Sequence, residues 1–146
     1  MDKKKALVLG GTGAMGVYLV PELASLGYEV RVVSLDEVAS SDPRVSYVKA
    51  DAKNIAYLRE LLSERYDAVV DFMLYSTEQF RERHELLLQN TSHYILLSSY
   101  RVYDNKQVPI TEDAPRLLDA SSDAEFLRTE DYSLTKARQE DILEQS

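Results

Sequence analysis

The sequence predicts an α/β protein built on a doubly wound, parallel β-sheet, and two observations lead to this prediction. Short β-branched, apolar runs alternate with segments of helical periodicity along the chain. The runs are continuously apolar rather than alternating, which is typical of strands buried on both faces. Strands that alternate with helices require right-handed crossovers, and these cover both sides of a parallel sheet.

Each apolar run predicts one strand, and the segments between and after the runs predict helices. The five strands are expected at residues 5–9, 30–34, 45–48, 68–73 and 94–98. The four helices are expected at about residues 14–26, 55–64, 78–89 and 131–145. Gly27 stands where the first helix should end, as a C-cap glycine. Pro21 lies inside that helix and should bend it rather than end it.

Composition excludes several classes of function. The 146 residues are 45% hydrophobic and 29% charged, which suits one ordinary domain with its own core. No cysteine is present, so thiol catalysis, Cys-based zinc sites and disulfides are excluded. The two histidines, His84 and His93, have no third ligand pattern around them, and we expect no metal site. A net charge of −8 disfavours nucleic acid as a partner. No apolar run approaches the ~18 residues of a membrane span, and we expect a cytoplasmic protein.

Four of the five glycines fall in one short segment, Gly10-Gly-Thr-Gly-Ala-Met-Gly16. This pattern follows the first predicted strand and opens the first helix. Glycine permits a tight turn there and lets the backbone approach a pyrophosphate, while the helix N-terminus faces the phosphates. The motif therefore predicts a Rossmann-like sheet of order 3-2-1-4-5, with residues 1–146 as a single dinucleotide-binding domain. A glycine-rich turn without a ligand is the alternative.

The end of the second strand usually selects the dinucleotide. An acidic side chain there binds the ribose of NAD, whereas arginine or a small residue admits the phosphate of NADP. Ser34 occupies about this position and Asp36 lies slightly beyond it, so the cofactor is NAD or NADP. Asp51, after the third strand, could accept a hydrogen bond from adenine; a helix N-cap or loop role is the alternative.

Tyr132 and Lys136 form a Tyr-x-x-x-Lys pair within the last predicted helix. Residues i and i+4 share a helix face, and a nearby ammonium stabilises a phenolate, which suits tyrosine for acid–base chemistry. Ser98 and Ser99 end the fifth predicted strand, and ligands bind at strand ends of such sheets. A serine hydroxyl there could hold a substrate carbonyl or hydroxyl beside the tyrosine.

With these motifs in this order, the chain resembles the extended short-chain dehydrogenase/reductases, and more narrowly the NAD-dependent epimerase/dehydratase family that acts on nucleotide sugars. The resemblance runs from residue 5 to the C-terminus. It rests on the glycine loop, Ala50-Asp51, the Ser-Ser-Tyr-Arg-Val-Tyr and Pro-Ile-Thr-Glu segments at 98–103 and 109–112, and the Tyr-Lys pair. It implies an oxidoreductase or epimerase that transfers a hydride between a nicotinamide cofactor and a nucleotide-sugar-like substrate.

The resemblance also implies roles for single residues. Tyr132 would be the catalytic acid/base, Lys136 would bind the nicotinamide ribose and tune the tyrosine, and Ser99 would orient the substrate. The cofactor would be contacted at the pyrophosphate turn, the ribose, adenine and the nicotinamide side. The pyrophosphate turn would be formed by Gly10, Thr12, Gly13, Ala14, Met15 and Gly16. Ser34 would lie at the ribose. Asp51 and Ala52 would contact adenine, and Phe72 and Met73 would line the nicotinamide side.

Some features depart from the family pattern. Residues 71–75 read Asp-Phe-Met-Leu-Tyr, where many members carry Asn-Ala-Gly or Ala-Gly, and Arg101 stands near the substrate serine, where a small residue is common. Members run to roughly twice this length, so the resemblance implies that the C-terminal substrate lobe is missing here. A non-catalytic dinucleotide-binding sensor or scaffold of the same fold is the alternative function.

The last helix also bears on assembly. Leu134, Ala137, Ile142 and Leu143 are expected on the face that lies away from the Tyr-Lys pair. Without the missing lobe this apolar face needs another partner, since large exposed apolar patches are unusual for a monomer. We therefore expect self-association, most simply a homodimer. Packing of the helix back onto its own chain is the alternative.

Overall fold

A computed structural model describes residues 2–146, and the strands alternate with helices as the sequence predicts. The elements in chain order are β1 Lys5–Leu9, α1 Gly16–Ser25, β2 Glu29–Ser34, β3 Val45–Lys49, α2 Ile55–Leu61, β4 Tyr66–Asp71, α3 Thr77–Gln89, β5 Thr91–Leu96, α4 Leu117–Ala120 and α5 Tyr132–Glu144. Two 3₁₀ turns, Tyr100–Val102 and Phe126–Arg128, precede α4 and α5. Within the described residues, no helix is long and apolar enough to cross a bilayer.

The chain divides into two compact units. Unit 1 comprises residues 1–74 and 83–97, and unit 2 comprises residues 75–82 and 98–146. The sheet and the glycine loop lie in unit 1, whereas the Tyr-x-x-x-Lys helix lies in unit 2. The prediction of a single domain over residues 1–146 stays a prediction.

The five strands form one parallel sheet in the order β3-β2-β1-β4-β5, which confirms the predicted doubly wound topology. β1 is central: Val8 pairs with Val32 of β2 on one side and with Val70 of β4 on the other. The strand order reverses at β1, because the chain crosses from there to both edges of the sheet. Ligands of such sheets bind outside the carboxyl ends of the strands at this switch point.

Both faces of the central strands are buried, as the continuous apolar runs predict. On one face Leu7, Leu9 and Val69 pack with Leu58 of α2 and Leu87 of α3. The opposite face carries a second core, formed with residues of α1. Its members are Val8, Val20, Ala24, Val30, Val32, Val45 and Val70. Full burial of one such side chain stabilises the fold by about 1.5–3 kcal/mol, so these two cores fix the helices on the sheet.

The edge strand β5 differs from the prediction. It begins at Thr91 rather than at residue 94, and Ser98 lies beyond its end. Its exposure follows from its place at the sheet edge, where Ile95 remains 41% exposed. The polar start of this strand gives no apolar run to detect. β4 likewise begins and ends two residues earlier than predicted, so Phe72 and Met73 follow the strand.

The first helix is delimited by glycines. α1 starts at Gly16, two residues later than predicted, and continues through Pro21 to Ser25. Gly27 adopts a left-handed φ of +93°, and its N–H donates to the Ala24 carbonyl at 3.0 Å. This confirms the predicted glycine C-cap.

Unit 2 is held together by polar contacts to α5 and to Glu130, which precedes that helix. Thr77 donates from its N–H and its hydroxyl to the carboxylate of Glu130, at 2.9 and 3.1 Å. Arg116, ahead of α4, forms ion pairs with Glu140 and Asp141 of α5 at 3.1 and 2.8 Å. Together with its bonds to Asp119, these carboxylates raise the pKa of the Arg116 guanidinium.

The apolar positions of α5 are largely covered within the chain itself. Leu134 and Ala137 are fully buried, while Ile142 and Leu143 are half-buried. The exposed apolar area on which the expectation of self-association rests is therefore limited to the last turn of the helix. The homodimer stays a prediction.

The glycine loop depends on one close approach, between the start of α1 and the loop itself. A Cβ on Gly16 would lie 1.9 Å from the carbonyl oxygen of Gly11. That distance is far below van der Waals contact, and the obstacle is backbone rather than a movable side chain. Only glycine at position 16 allows the helix to begin so close to the loop.

Replacing Gly16 by alanine should destabilise the protein by about 3 kcal/mol, because the added methyl group forces the backbone apart. The matched control is Gly13→Ala, where a Cβ meets nothing within 4 Å and the change should stay within about 0.5 kcal/mol. Urea unfolding of both variants measures the difference. Equal stability of the two variants would contradict the close approach.

Candidate functional site

The loop between β1 and α1 offers backbone donors that the protein itself does not use. In the described part of the chain, the N–H groups of Thr12, Gly13, Ala14 and Met15 donate to no protein acceptor. Met15 occupies the N-cap of α1 and provides no side-chain cap. Unused N–H groups at the positive end of a helix bind anions, and phosphates in particular.

The loop leaves open space beside Gly13. Gly10 has a φ of +73°, which leads the chain out of β1 in a conformation that favours glycine. A Cβ at Gly13 would meet nothing within 4 Å, so the absence of a side chain there leaves open space that packing does not require. A side chain at Gly13 would project into this open space, the cradle of the loop, which is where a pyrophosphate would lie in a dinucleotide-binding sheet.

Beside the loop lies a cavity of about 330 Å³ at the carboxyl ends of β1, β2 and β3. Its lining residues are Gly10, Thr12, Ser34, Leu35, Asp36, Ala50, Asp51, Ala52 and Met73. The structure thus brings together six of the residues predicted to contact the cofactor. Gly13, Ala14, Met15, Gly16 and Phe72 are not among the lining residues.

Asp36, rather than Ser34, presents its side chain to the glycine loop. The Thr12 hydroxyl donates to the Asp36 carboxylate at 2.5 Å, and the Asp36 N–H donates to the Ser34 hydroxyl at 3.1 Å. Ser34 therefore supports the turn that carries Asp36 back to the loop. Counting residues along the strand placed Asp36 beyond the position that selects the dinucleotide, because such a count assumes that the strand continues straight. The serine two residues before the aspartate is the signal for this turn.

Asp51 lies in a loop and does not cap a helix. Its carboxylate accepts from the N–H of Lys53 at 2.9 Å, while Asn54 is the N-cap of α2. The helix N-cap interpretation of Asp51 is therefore wrong, and its contact with adenine stays a prediction. Phe72 and Met73 follow β4 and pack against opposite cores of the sheet.

Sequence reasoning missed a buried carboxylate at the end of β4. Asp71 is fully buried, and its carboxylate accepts from the Tyr94 hydroxyl at 2.7 Å and from the Met73 N–H at 2.9 Å. The second bond fixes the chain where it leaves β4, so that Met73 lies against Gly10. Asp71 therefore positions one wall of the cavity.

In unit 2 a second group of predicted residues surrounds Tyr132. The Lys136 ammonium lies 6.0 Å from the centre of the Tyr132 ring, and the Arg101 guanidinium lies 5.5 Å from it. Lys136 is almost fully buried, at 3% exposure. The helix begins here because the Asp131 carboxylate accepts from the Ser133 N–H at 3.0 Å and from its hydroxyl at 2.6 Å. These bonds, with a smaller effect of the Arg101 charge, lower the pKa of Asp131.

The two serines after β5 differ in their environment. The Ser98 hydroxyl donates to the Glu140 carboxylate at 2.5 Å. The Ser99 oxygen accepts from the N–H of Arg101 at 3.2 Å and caps the 3₁₀ turn. Accepting that bond leaves the hydroxyl hydrogen of Ser99 available to a ligand. No cluster of three or more potential metal ligands occurs within residues 2–146.

A doubly wound sheet whose first helix opens on a glycine loop defines this chain as a dinucleotide-binding α/β protein. The Tyr-x-x-x-Lys pair after the fifth strand narrows the class to the short-chain dehydrogenase/reductases. Within that class the chain belongs to the NAD dependent epimerase/dehydratase family, since the sequence profile of that family matches residues 6–146.

Individual relatives agree with this assignment. The chain is 30% identical to a UDP-glucose 4-epimerase of Lactobacillus helveticus, in an alignment covering 76% of this chain and 40% of that protein. It is structurally similar to the UDP-Glc/GlcNAc 4-epimerase from Campylobacter jejuni, with a TM-score of 0.77, 19% identity, and coverage of 97% of this chain and 48% of that one.

A third similarity is to the UDP-glucose 4-epimerase from Bifidobacterium longum in complex with NAD+ and UDP. The TM-score is 0.72 at 23% identity, and the match covers 97% of this chain and 48% of that one. At such identities the structural likeness establishes the fold. The chain spans about half the length of these two solved structures.

Replacing Gly13 by valine should abolish dinucleotide binding while the domain stays folded, because the side chain would occupy the cradle and nothing else. Calorimetric titration with NAD measures the affinity, and urea unfolding verifies the fold. Gly13→Ala, with its smaller side chain, should weaken binding less. Equal affinity of wild type and Gly13→Val would show that the dinucleotide does not bind at this loop.

Proposed function

We propose that this chain is the cofactor-binding and acid–base portion of an NAD-dependent epimerase or oxidoreductase that acts on a sugar nucleotide. The observation that carries the proposal is the pair of cations, Lys136 and Arg101, around the Tyr132 ring in a chain of the epimerase/dehydratase family. The sugar-nucleotide class is taken from the names of its relatives.

The residues of unit 1 would hold the cofactor. The N–H groups of residues 12–15 would donate to the pyrophosphate, and Asp36 would accept from the hydroxyls of the adenosine ribose. Asp51 and Ala52 would contact adenine, with Phe72 and Met73 on the nicotinamide side. When bound, NAD supplies a hydride acceptor that later returns the hydride.

The residues of unit 2 would handle the proton. Tyr132 would accept the hydroxyl proton of the substrate at its phenolate oxygen and return a proton to that position later. The Lys136 ammonium would lie beside that phenol as a buried positive charge. The Ser99 hydroxyl would donate to the substrate oxygen and so orient it toward the tyrosine.

NAD is the cofactor we propose, rather than NADP. Two carboxylates, Asp36 and Asp51, line the cavity beside the glycine loop, and the first is held against that loop by Thr12. A carboxylate accepts hydrogen bonds from two ribose hydroxyls but repels the phosphate that replaces one of them in NADP. Ser34 alone would make neither distinction.

The Asp36→Ser variant should therefore bind NADP at least about tenfold more tightly than wild type does, while its affinity for NAD falls, since removing the charge removes the repulsion. Asp42→Ser is a matched control, because Asp42 pairs with Arg44 elsewhere on unit 1. Titration of each variant with both dinucleotides gives the four affinities. An unchanged preference in Asp36→Ser would contradict the role of this carboxylate.

Replacing Tyr132 by phenylalanine should lower kcat by about 10²- to 10⁴-fold, the contribution of a positioned acid–base group, and leave NAD affinity unchanged. The assay follows interconversion of UDP-glucose and UDP-galactose and reduction of NAD by a panel of sugar nucleotides. Tyr28→Phe, which removes a hydroxyl far along the sequence from the pair, should keep wild-type activity. NAD binding without turnover by wild type would instead favour the non-catalytic sensor.

A further inference from the structure

We infer that Arg101 binds an oxyanion of the substrate, a carboxylate or a phosphate, in a cavity of unit 2 beside Tyr132, and thereby determines substrate specificity. The inference rests on the proposed function, because it takes the acid–base tyrosine to mark where substrate binds. Beyond that function, the inference specifies that the substrate carries a negative charge near the reacting group.

The cavity has a volume of about 320 Å³ and combines aromatic walls with one cation. Its lining residues are Tyr100, Arg101, Tyr103, Asn105, Leu117, Phe126, Asp131 and Ser133. The aromatic side chains offer flat apolar surface to the ring of a sugar or a base. Asn105 offers both a donor and an acceptor to hydroxyl groups.

The Arg101 guanidinium is not neutralised by an ion pair within the described residues, unlike two other arginines of unit 2. Arg116 pairs with Asp119, Glu140 and Asp141, and Arg138 pairs with Glu130. The contact of the Arg101 side chain is the face of the Tyr132 ring, 5.5 Å away. The guanidinium thus lies within cation–π distance of the ring, and its side-chain N–H groups donate to no acceptor in the described part of the chain.

One carboxylate, that of Asp131, lines the same cavity but forms no ion pair with Arg101. Asp131 lies beyond ion-pair distance of the guanidinium, and one of its oxygens accepts both the N–H and the hydroxyl of Ser133. Its charge interacts with that of Arg101 without forming an ion pair, since the Arg101 charge is a lesser cause of the lowered pKa of Asp131. The donors of Arg101 are therefore available to a ligand.

The chemistry of these free donors selects an oxyanion. A guanidinium presents parallel N–H groups that match the two oxygens of a carboxylate or a phosphate. A sugar nucleotide carries phosphates, and its sugar can in addition carry a carboxylate. Both sources have the same recognition chemistry, and they are separated by experiment.

The test compares UDP-glucose with UDP-glucuronate by calorimetric titration of the chain in saturating NAD. Arg101→Gln should weaken binding by about 10- to 100-fold, the effect of losing hydrogen bonds to a charged group. If Arg101 binds the sugar carboxylate, the variant loses affinity only for UDP-glucuronate. If Arg101 binds a phosphate, the variant loses affinity for both sugar nucleotides equally. Arg101→Lys, which keeps the charge without the paired donors, should give an intermediate loss.

Arg128→Gln is the matched control, since Arg128 is also exposed in unit 2 but does not line the cavity. The affinities of this variant should stay within about twofold of wild type. If wild type binds both sugar nucleotides and Arg101→Gln binds them equally well, the inference about Arg101 is wrong while the proposed function stands. If wild type binds NAD but neither sugar nucleotide, the proposed function is wrong and the inference falls with it.

Discussion

The nucleotide-binding half of this molecule depends on the contact between Gly16 and the carbonyl of Gly11, which admits no Cβ. The contact lets α1 begin directly against the loop that leaves β1. As a consequence the N–H groups of residues 12–15, in the loop that precedes the helix, donate to no protein acceptor in the described part of the chain. A structural necessity of packing and a group of unused N–H donors are thus two results of the same approach of backbone to backbone.

In unit 2 the corresponding constraint is electrostatic. The Asp131 carboxylate fixes where α5 begins, and this start places Tyr132 and Lys136 in the first two turns of the helix. Burial of the lysine beside the phenol strengthens the electrostatic interactions of the ammonium, because little water screens its charge. Arg101 adds a second cation 5.5 Å from the centre of the same ring, so two positive groups lie near the phenol. One is almost fully buried, and the other is exposed at a cavity.

Sequence reasoning predicted the sheet order and the glycine loop, because apolar runs and glycine spacing are local signals. It failed where the signal was distant or polar. The start of β5 is a polar edge segment, so no apolar run marks it. Asp71 bonds to Tyr94, 23 residues away, and only the register of neighbouring strands brings the two together. Asp36 reaches the loop through a turn held by the Ser34 hydroxyl, which a count of residues from the strand end does not capture.

The open space at Gly13 has a meaning beyond this one chain. Gly16 is required by the architecture, whereas Gly13 is required by nothing that the protein itself contains. When diverging sequences of this family are compared, the two positions therefore record separate selective pressures. A descendant that keeps the glycine at 16 and has exchanged the one at 13 for a larger residue would have retained its scaffold after abandoning its cofactor.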